Sequence, residues 1–152
     1  MDLLALALTC APDVHPSTVQ AIVHVESSGN PHAIGVVGGR LERQPTNLRE
    51  AMATVQALEA GGFNYSVGLG QINKKNFGRL GLSPEQAFNP CTNLQAMQSI
   101  LGECFSRAVA RAEEQTALRK AFSCYYSGNF QTGFDHGYVD KVVRTARQER
   151  RP

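Results

Sequence analysis

The stretch Ser17-Thr18-Val19-Gln20-Ala21-Ile22-Val23-His24-Val25-Glu26-Ser27-Ser28, followed by Gly29-Asn30-Pro31, combines a helical pattern with one misplaced carboxylate. Ser17 with Gln20 three residues later has the form of a capping box, and Gly29 and Pro31 supply a stop. Val19, Ile22 and Val23 recur at three and four, which predicts a helix over 17–28 with those residues facing the core. Seven positions after Val19 the same face carries Glu26. Burying a charged carboxylate is costly, and the negative end of the helix dipole opposes the charge further. Both effects raise the pKa. An ordinary Glu near 4.3 is only about 0.2% protonated at pH 7; raised to about 6.5 it is roughly a quarter protonated and can act as a general acid. The competing reading is a buried Glu paired with an arginine, or one that reaches water at the helix end.

Outward from this helix the chain alternates helical patterns with Gly and Pro punctuation. The apolar run Leu3 to Leu8 reads as a first core helix, too short to span a bilayer and lacking the basic residues of a targeting segment. Ala33 to Pro45 reads as extended or looped chain with room for a small hairpin, and Tyr65 to Asn73 as loop-like chain. A helix is expected from about Asn47 to Ala60, stopped by Gly61-Gly62. Ser83-Pro84-Glu85-Gln86 is a second capping box with Pro at the first helical position. Leu94, Met97, Leu101, Cys104, Phe105 and Ala108 give the longest apolar stripe. Leu118, Ala121, Phe122 and Tyr125 mark another helix before Gly128. Val139, Val142, Val143 and Ala146 mark the last, with Lys141, Arg144, Arg147 and Arg150 as a solvated face. The fold class is therefore mostly α, with about six helices and at most a small β-hairpin.

The 152 residues fit one domain, 1–152, with one sizeable core. A net charge of +2 with 42% hydrophobic residues excludes a disordered chain and argues against a nucleic-acid binder. Four cysteines, Cys10, Cys91, Cys104 and Cys124, share no CxxC or CxxH spacing, so no metal site and no cofactor are expected. They allow three pairings, or none if the thiols stay free; two disulfides in an oxidising compartment is the preferred reading.

Four segments in order carry a resemblance. Glu26-Ser27-Ser28-Gly29-Asn30-Pro31, Gly68-Leu69-Gly70-Gln71-Ile72-Asn73, Ser123-Cys124-Tyr125-Tyr126-Ser127-Gly128 and Gly137-Tyr138-Val139 resemble the four motifs of the soluble lytic transglycosylase domain. The segments Ala33 to Arg40, Arg43-Gln44-Pro45, Cys10-Ala11-Pro12 and Asn89 to Leu94 look most like the specialised members that serve type IV secretion systems. Two positions depart from the pattern. Tyr126 stands where Asn is usual, altering a polar contact, and Gly70 stands where Met or a small residue is common, a change expected to widen the groove.

The resemblance implies a lysozyme-like fold and a bacterial, periplasmic enzyme acting on peptidoglycan glycan strands. Its partners would be components of a type IV secretion system, without nucleic acid and without an integral membrane segment; no export signal is evident. Glu26 would be the catalytic residue. Tyr125 would hydrogen-bond and orient it, Ser27 and Gln71 would contact the sugars, and Tyr138 would line the cleft. Gly68 and Gly70 would let the backbone approach the glycan, and Asn73 would be a helix cap. A water-using lysozyme would need a second carboxylate, for which Glu42 and Asp135 are the loop candidates; a non-catalytic wall-binding scaffold would not need Glu26. For the cysteines, the resemblance around Cys10 and Cys91 implies a staple between two helix-free stretches. Cys104 and Cys124 would then join two antiparallel helices.

Overall fold

The computed structural model describes residues 1–110 and 112–151. Among these the chain forms nine α-helices and one small sheet. α1 (Leu3–Cys10) and α2 (Pro16–Ser27) come first. The capping box expected at Ser17 does not form. Pro16 occupies the first turn and His15 is the cap, its Nδ1 accepting from the Ser17 amide at 3.1 Å. A proline at this position loses no intrahelical bond, so the helix begins two residues earlier than the Ser–Gln capping box indicates. Val19, Ile22 and Val23 are fully buried, as the period requires.

α3 (Leu48–Ala60) is capped by Asn47, whose side chain accepts from the Glu50 amide. The stretch read as extended or looped chain holds the strand β1 (Ile34–Val36), and the one read as loop-like holds β2 (Tyr65–Val67) and β3 (Ile72–Asn73). β1 pairs with β2, with Ile34 opposite Val67, and β2 pairs with β3. The sheet is antiparallel with order β1-β2-β3, and α3 lies in sequence between its first two strands. Three residues or fewer per strand are too short to display a period of two, and a partner thirty residues away leaves no turn signal.

Beyond a 3₁₀ turn capped by Asn73 come α4 (Phe77–Leu80) and α5 (Pro84–Phe88), the latter with the full capping box at Ser83. α6 (Pro90–Val109) and α7 (Glu114–Ser127) pack together as a long hairpin. α8 (Thr132–Asp135) and α9 (Tyr138–Glu149) close the chain. The helices absent from the sequence reading include α4 and α8, each of four residues, too short to show a periodic stripe. α9 packs along α2, and Arg150 Nε donates to Ser17 Oγ at 2.8 Å. Arg150 therefore has a fold contact that the solvated-stripe reading did not foresee. On the outer side of α1, Leu4 and Leu8 remain exposed, so this helix gives the core mainly Ala7 and Cys10.

A buried side-chain amide joins the sheet to the helices. Asn93 of α6 is fully buried. Its Oδ1 accepts from the Gly70 amide at 2.8 Å, and its Nδ2 donates to Val67 O at 3.0 Å and Ala87 O at 2.8 Å. The loop 68–71 is built around it. Gly68 has φ of +78°, and a Cβ there would lie 2.2 Å from Asn93 Nδ2. A Cβ at Gly70 would lie 2.7 Å from the Tyr125 hydroxyl and 3.0 Å from Met97 Cε. Gly70 therefore does not widen a groove, because side chains already fill the space beside it. Gly68 is buried on Asn93 rather than presented to a ligand.

The structure joins Cys10 to Cys91 and Cys104 to Cys124. Both ends of the first bridge are helical, Cys10 closing α1 and Cys91 lying in the first turn of α6, so the stretches are not helix-free. Thiol titration in denaturant should find no free thiol before reduction and four after it. Replacing Cys104 and Cys124 with Ser should cost about 3 kcal/mol of unfolding free energy in the chain-entropy model, and replacing Cys10 and Cys91 about 4.5. Asn93→Leu should cost about 3 kcal/mol, because it strands a buried amide and two carbonyls. Loss under 1 kcal/mol in urea unfolding would show that the amide joint is dispensable.

Candidate active site

Between the sheet and the α6–α7 hairpin runs an open groove of about 1000 Å³, and Glu26 lies on its wall. Glu26 sits in the last turn of α2, held there by the buried face of Val19, Ile22 and Val23. The side chain keeps an opening to the groove, while its carboxyl is largely enclosed by protein. The Tyr138 hydroxyl donates to Glu26 Oε2 at 2.9 Å. Burial pushes the Glu26 carboxyl up to about 7, against a smaller downward effect of the Tyr138 hydrogen bond. The ion pairs among the described residues are Lys74–Glu59, Arg79–Glu103 and Arg144–Asp140, and none involves Glu26. No arginine among the described residues pairs with it, and a carboxylic acid poised at neutral pH faces the groove.

The two tyrosines exchange the places that the resemblance implied. Tyr125, on α7, donates to Gly70 O at 2.6 Å and not to Glu26. Tyr138, at the start of α9, makes the Glu26 bond and is 5% exposed, so it backs the carboxyl instead of lining the cleft. The reason is packing: α9 lies along α2, whereas the last turn of α7 faces the loop 68–71. Tyr125 is still close enough that burial first, and then the Glu26 charge, disfavour ionisation of its phenol.

Ser27 and Gln71 both lie on the groove wall. Ser27 Oγ lies 2.8 Å from Leu69 O and 3.1 Å from Val23 O, tying the end of α2 to the loop 68–71. Gln71 has φ of +51°, and its Nε2 donates to Ala33 O and Gly68 O, each at 3.0 Å. Its Oε1 fills the space over Gly35, where a Cβ would lie 2.6 Å away. Asn73 is the cap of the 3₁₀ turn, its Oδ1 accepting from the Lys75 amide at 3.1 Å. Of the four sequence motifs, the residues Glu26, Ser27, Gln71 and Tyr125 thus converge on one groove, with Tyr138 behind it.

A second carboxylate is not where the hydrolytic alternative needs it. Neither Glu42 nor Asp135 is on the groove wall. Among the described residues the other carboxylate lining it is Glu103, which Arg79 Nη1 holds at 2.8 Å. Sequence reasoning missed Asn93 as a determinant of the site, although it was legible as an amide four residues before Met97 on the longest apolar stripe. It also gave no role to His136 or to the ring of Tyr126. Tyr126 stacks on Tyr138 with centroids 4.5 Å apart and planes at 19°, and its hydroxyl bonds His136 Nδ1 at 3.0 Å.

Dehydration of Glu26 has a measurable sign. Between pH 4.5 and about 7 the unfolded chain has ionised this group while the folded chain keeps its proton. Raising the pH through that window therefore lowers folding stability, by roughly 3 kcal/mol in total, and outside it the group contributes no slope. Glu26→Gln should abolish this slope. Urea unfolding from pH 4 to 8 should show the variant gaining on the parent across the window and level above it. A constant difference at all pH values would mean that Glu26 titrates normally.

Residues 4–144 match the family described as the transglycosylase SLT domain. The chain is 53% identical over 150 residues to the type IV secretion system protein virB1 of Brucella abortus and of Brucella suis, covering 94% of this chain and 63% of theirs. It is 40% identical over 144 residues to protein virB1 of Agrobacterium fabrum, covering 93% of this chain and 58% of that one. The chain thus spans less than two thirds of the length of these relatives. No solved structure matches it. Among the described residues no helix is long and apolar enough to cross a membrane. With a family match over most of its length and a relative at 53% identity, the chain belongs to the transglycosylase SLT domain family.

Proposed function

We propose that the chain is a peptidoglycan lytic transglycosylase working as one domain in the bacterial periplasm, opening the wall locally for a type IV secretion system. The observation that carries this reading is the solitary Glu26: dehydrated, free of any cationic partner among the described residues, and half protonated near neutral pH. One group can then serve twice. As an acid, Glu26 gives its proton to the glycosidic oxygen between N-acetylmuramic acid and N-acetylglucosamine, and the C1–O bond breaks. The substrate's own N-acetyl group stabilises the cationic carbon. As a base, Glu26 takes the proton from the muramic acid 6-hydroxyl while that oxygen bonds to C1. The ends are a free N-acetylglucosamine 4-hydroxyl and a 1,6-anhydro sugar; no water is consumed and Glu26 regains its proton.

The other residues follow from their places. Tyr138 holds the carboxyl by one hydrogen bond and moderates its affinity for the proton. Tyr125 and Ser27 fix the loop 68–71 against the helices, and Gln71 and Ser27 face the bound sugars. Glu103, the other groove carboxylate among the described residues, is held by Arg79, so Glu26 is left to act alone. That favours internal attack, since a glycosidase using water relies on two flanking carboxylates. Names of the relatives support the secretion context, and components of that machine would be the protein partners.

Mass spectrometry of purified peptidoglycan after digestion should yield anhydro-muropeptides, and Glu26→Gln should release none. Reducing ends that have taken up water, or release by a clean Glu26→Gln preparation, would overturn the reading. Because the acid form initiates cleavage, the rate should fall as pH rises through about 7.

A further inference from the structure

We infer that Tyr126 is a sugar-stacking platform on the groove wall, taking the apolar face of a pyranose ring of the glycan strand. The inference rests on the functional reading above and extends it to a residue whose place in the third motif is usually an asparagine. Tyr126 is 42% exposed and lines the groove. One face of its ring is covered by Tyr138, at 4.5 Å and 19°. His136 meets it edge-on at 5.7 Å and 82°, and the two side chains are hydrogen-bonded through the hydroxyl and Nδ1. A ring held on one face and at its tip has one broad surface left, on a residue that lines the groove.

Such a surface has a definite ligand chemistry. An aromatic face is electron-rich, so it attracts the weakly positive C–H bonds that cluster on one side of a pyranose. The face itself offers no hydrogen bond, and the hydroxyl at its edge already bonds His136. Fixing the ring in advance removes the ordering cost that a free aromatic would incur on binding. The stacked partner, Tyr138, is the residue bonded to Glu26. A sugar on Tyr126 is therefore positioned against the same aromatic pair that holds the acid, which sets where its glycosidic bond lies relative to the proton.

The chain contains no tryptophan, so Tyr126→Trp in a Glu26→Gln background places the chain's one indole, excited selectively at the red edge, on the platform. Titration with peptide-free glycan strands of alternating N-acetylglucosamine and N-acetylmuramic acid should change its emission saturably. The midpoint should match the Kd found by calorimetry. In the same background Tyr126→Leu should weaken binding about tenfold and Tyr126→Phe by less than about twofold, since the ring and not the hydroxyl makes the contact. Strands that bind while the indole emission stays unchanged, or a Tyr126→Leu variant that binds as its parent does, would refute the platform and leave the transglycosylase reading intact. If the Glu26→Gln chain binds no glycan, both fall. If stacking is seen but the active enzyme forms no anhydro ends, only the transglycosylase step falls.

Discussion

The carboxamide of Asn93 is the joint on which the groove depends. A buried amide must find partners inside the protein, and those partners come from three separate segments: the end of β2, the end of α5 and the loop at Gly70. That loop then becomes a hub. Its Leu69 carbonyl accepts from Ser27, the neighbour of Glu26, and its Gly70 carbonyl accepts from Tyr125. One satisfied amide on α6 thus sets the relative positions of the helix that carries Glu26, the sheet and the last turn of α7. The glycines of the second motif follow from this joint, because a side chain at Gly68 or Gly70 would collide with Asn93 or Tyr125.

Against this fixed frame the electrostatics of Glu26 are spare. Among the described residues no cation pairs with its charge; burial raises its affinity for the proton, tempered by one phenol. A nearby arginine would stabilise the fold and lower the pKa out of the useful range. The protein instead tolerates a group whose ionisation costs stability at neutral pH, and in the proposed reaction that cost is the property that lets the same carboxyl give and then take a proton. Stability and chemistry are opposed at this residue, and the sequence pattern already displays the opposition as an acid on an apolar stripe.

Long periodic elements were legible, and short or long-range ones were not. α6 declared itself over five turns, α3 through its Gly61-Gly62 stop and α5 through its Ser83 cap. The sheet was hidden because its strands are brief and β1 pairs across the whole of α3. The start of α2 was misread because Pro16 with a histidine cap competes with the more familiar Ser17–Gln20 pattern. In the site, Glu26 was legible from its conflict with the helix face. The assignment of its tyrosine was not, since two tyrosines from motifs 13 residues apart approach the same carboxyl, and only the docking of α9 on α2 decides between them. Asn93 carried the same kind of signal as Glu26, a polar group on an apolar stripe, but an amide satisfied internally leaves no mark of chemistry.

The place of Tyr138 has a consequence for how the site comes into being. Glu26 lies in the second helix of the chain, while the phenol that holds it and the aromatic stack behind it begin the last one. α2 alone would present an ordinary carboxylate to water, ionised at neutral pH. Only when α9 has packed along α2, with Arg150 reaching Ser17 at the far end, is the carboxyl both enclosed and oriented. An incompletely folded chain therefore holds no usable acid. For an enzyme proposed to cut the wall that protects the cell, coupling the acid to the docking of the last helix confines the activity to the finished fold.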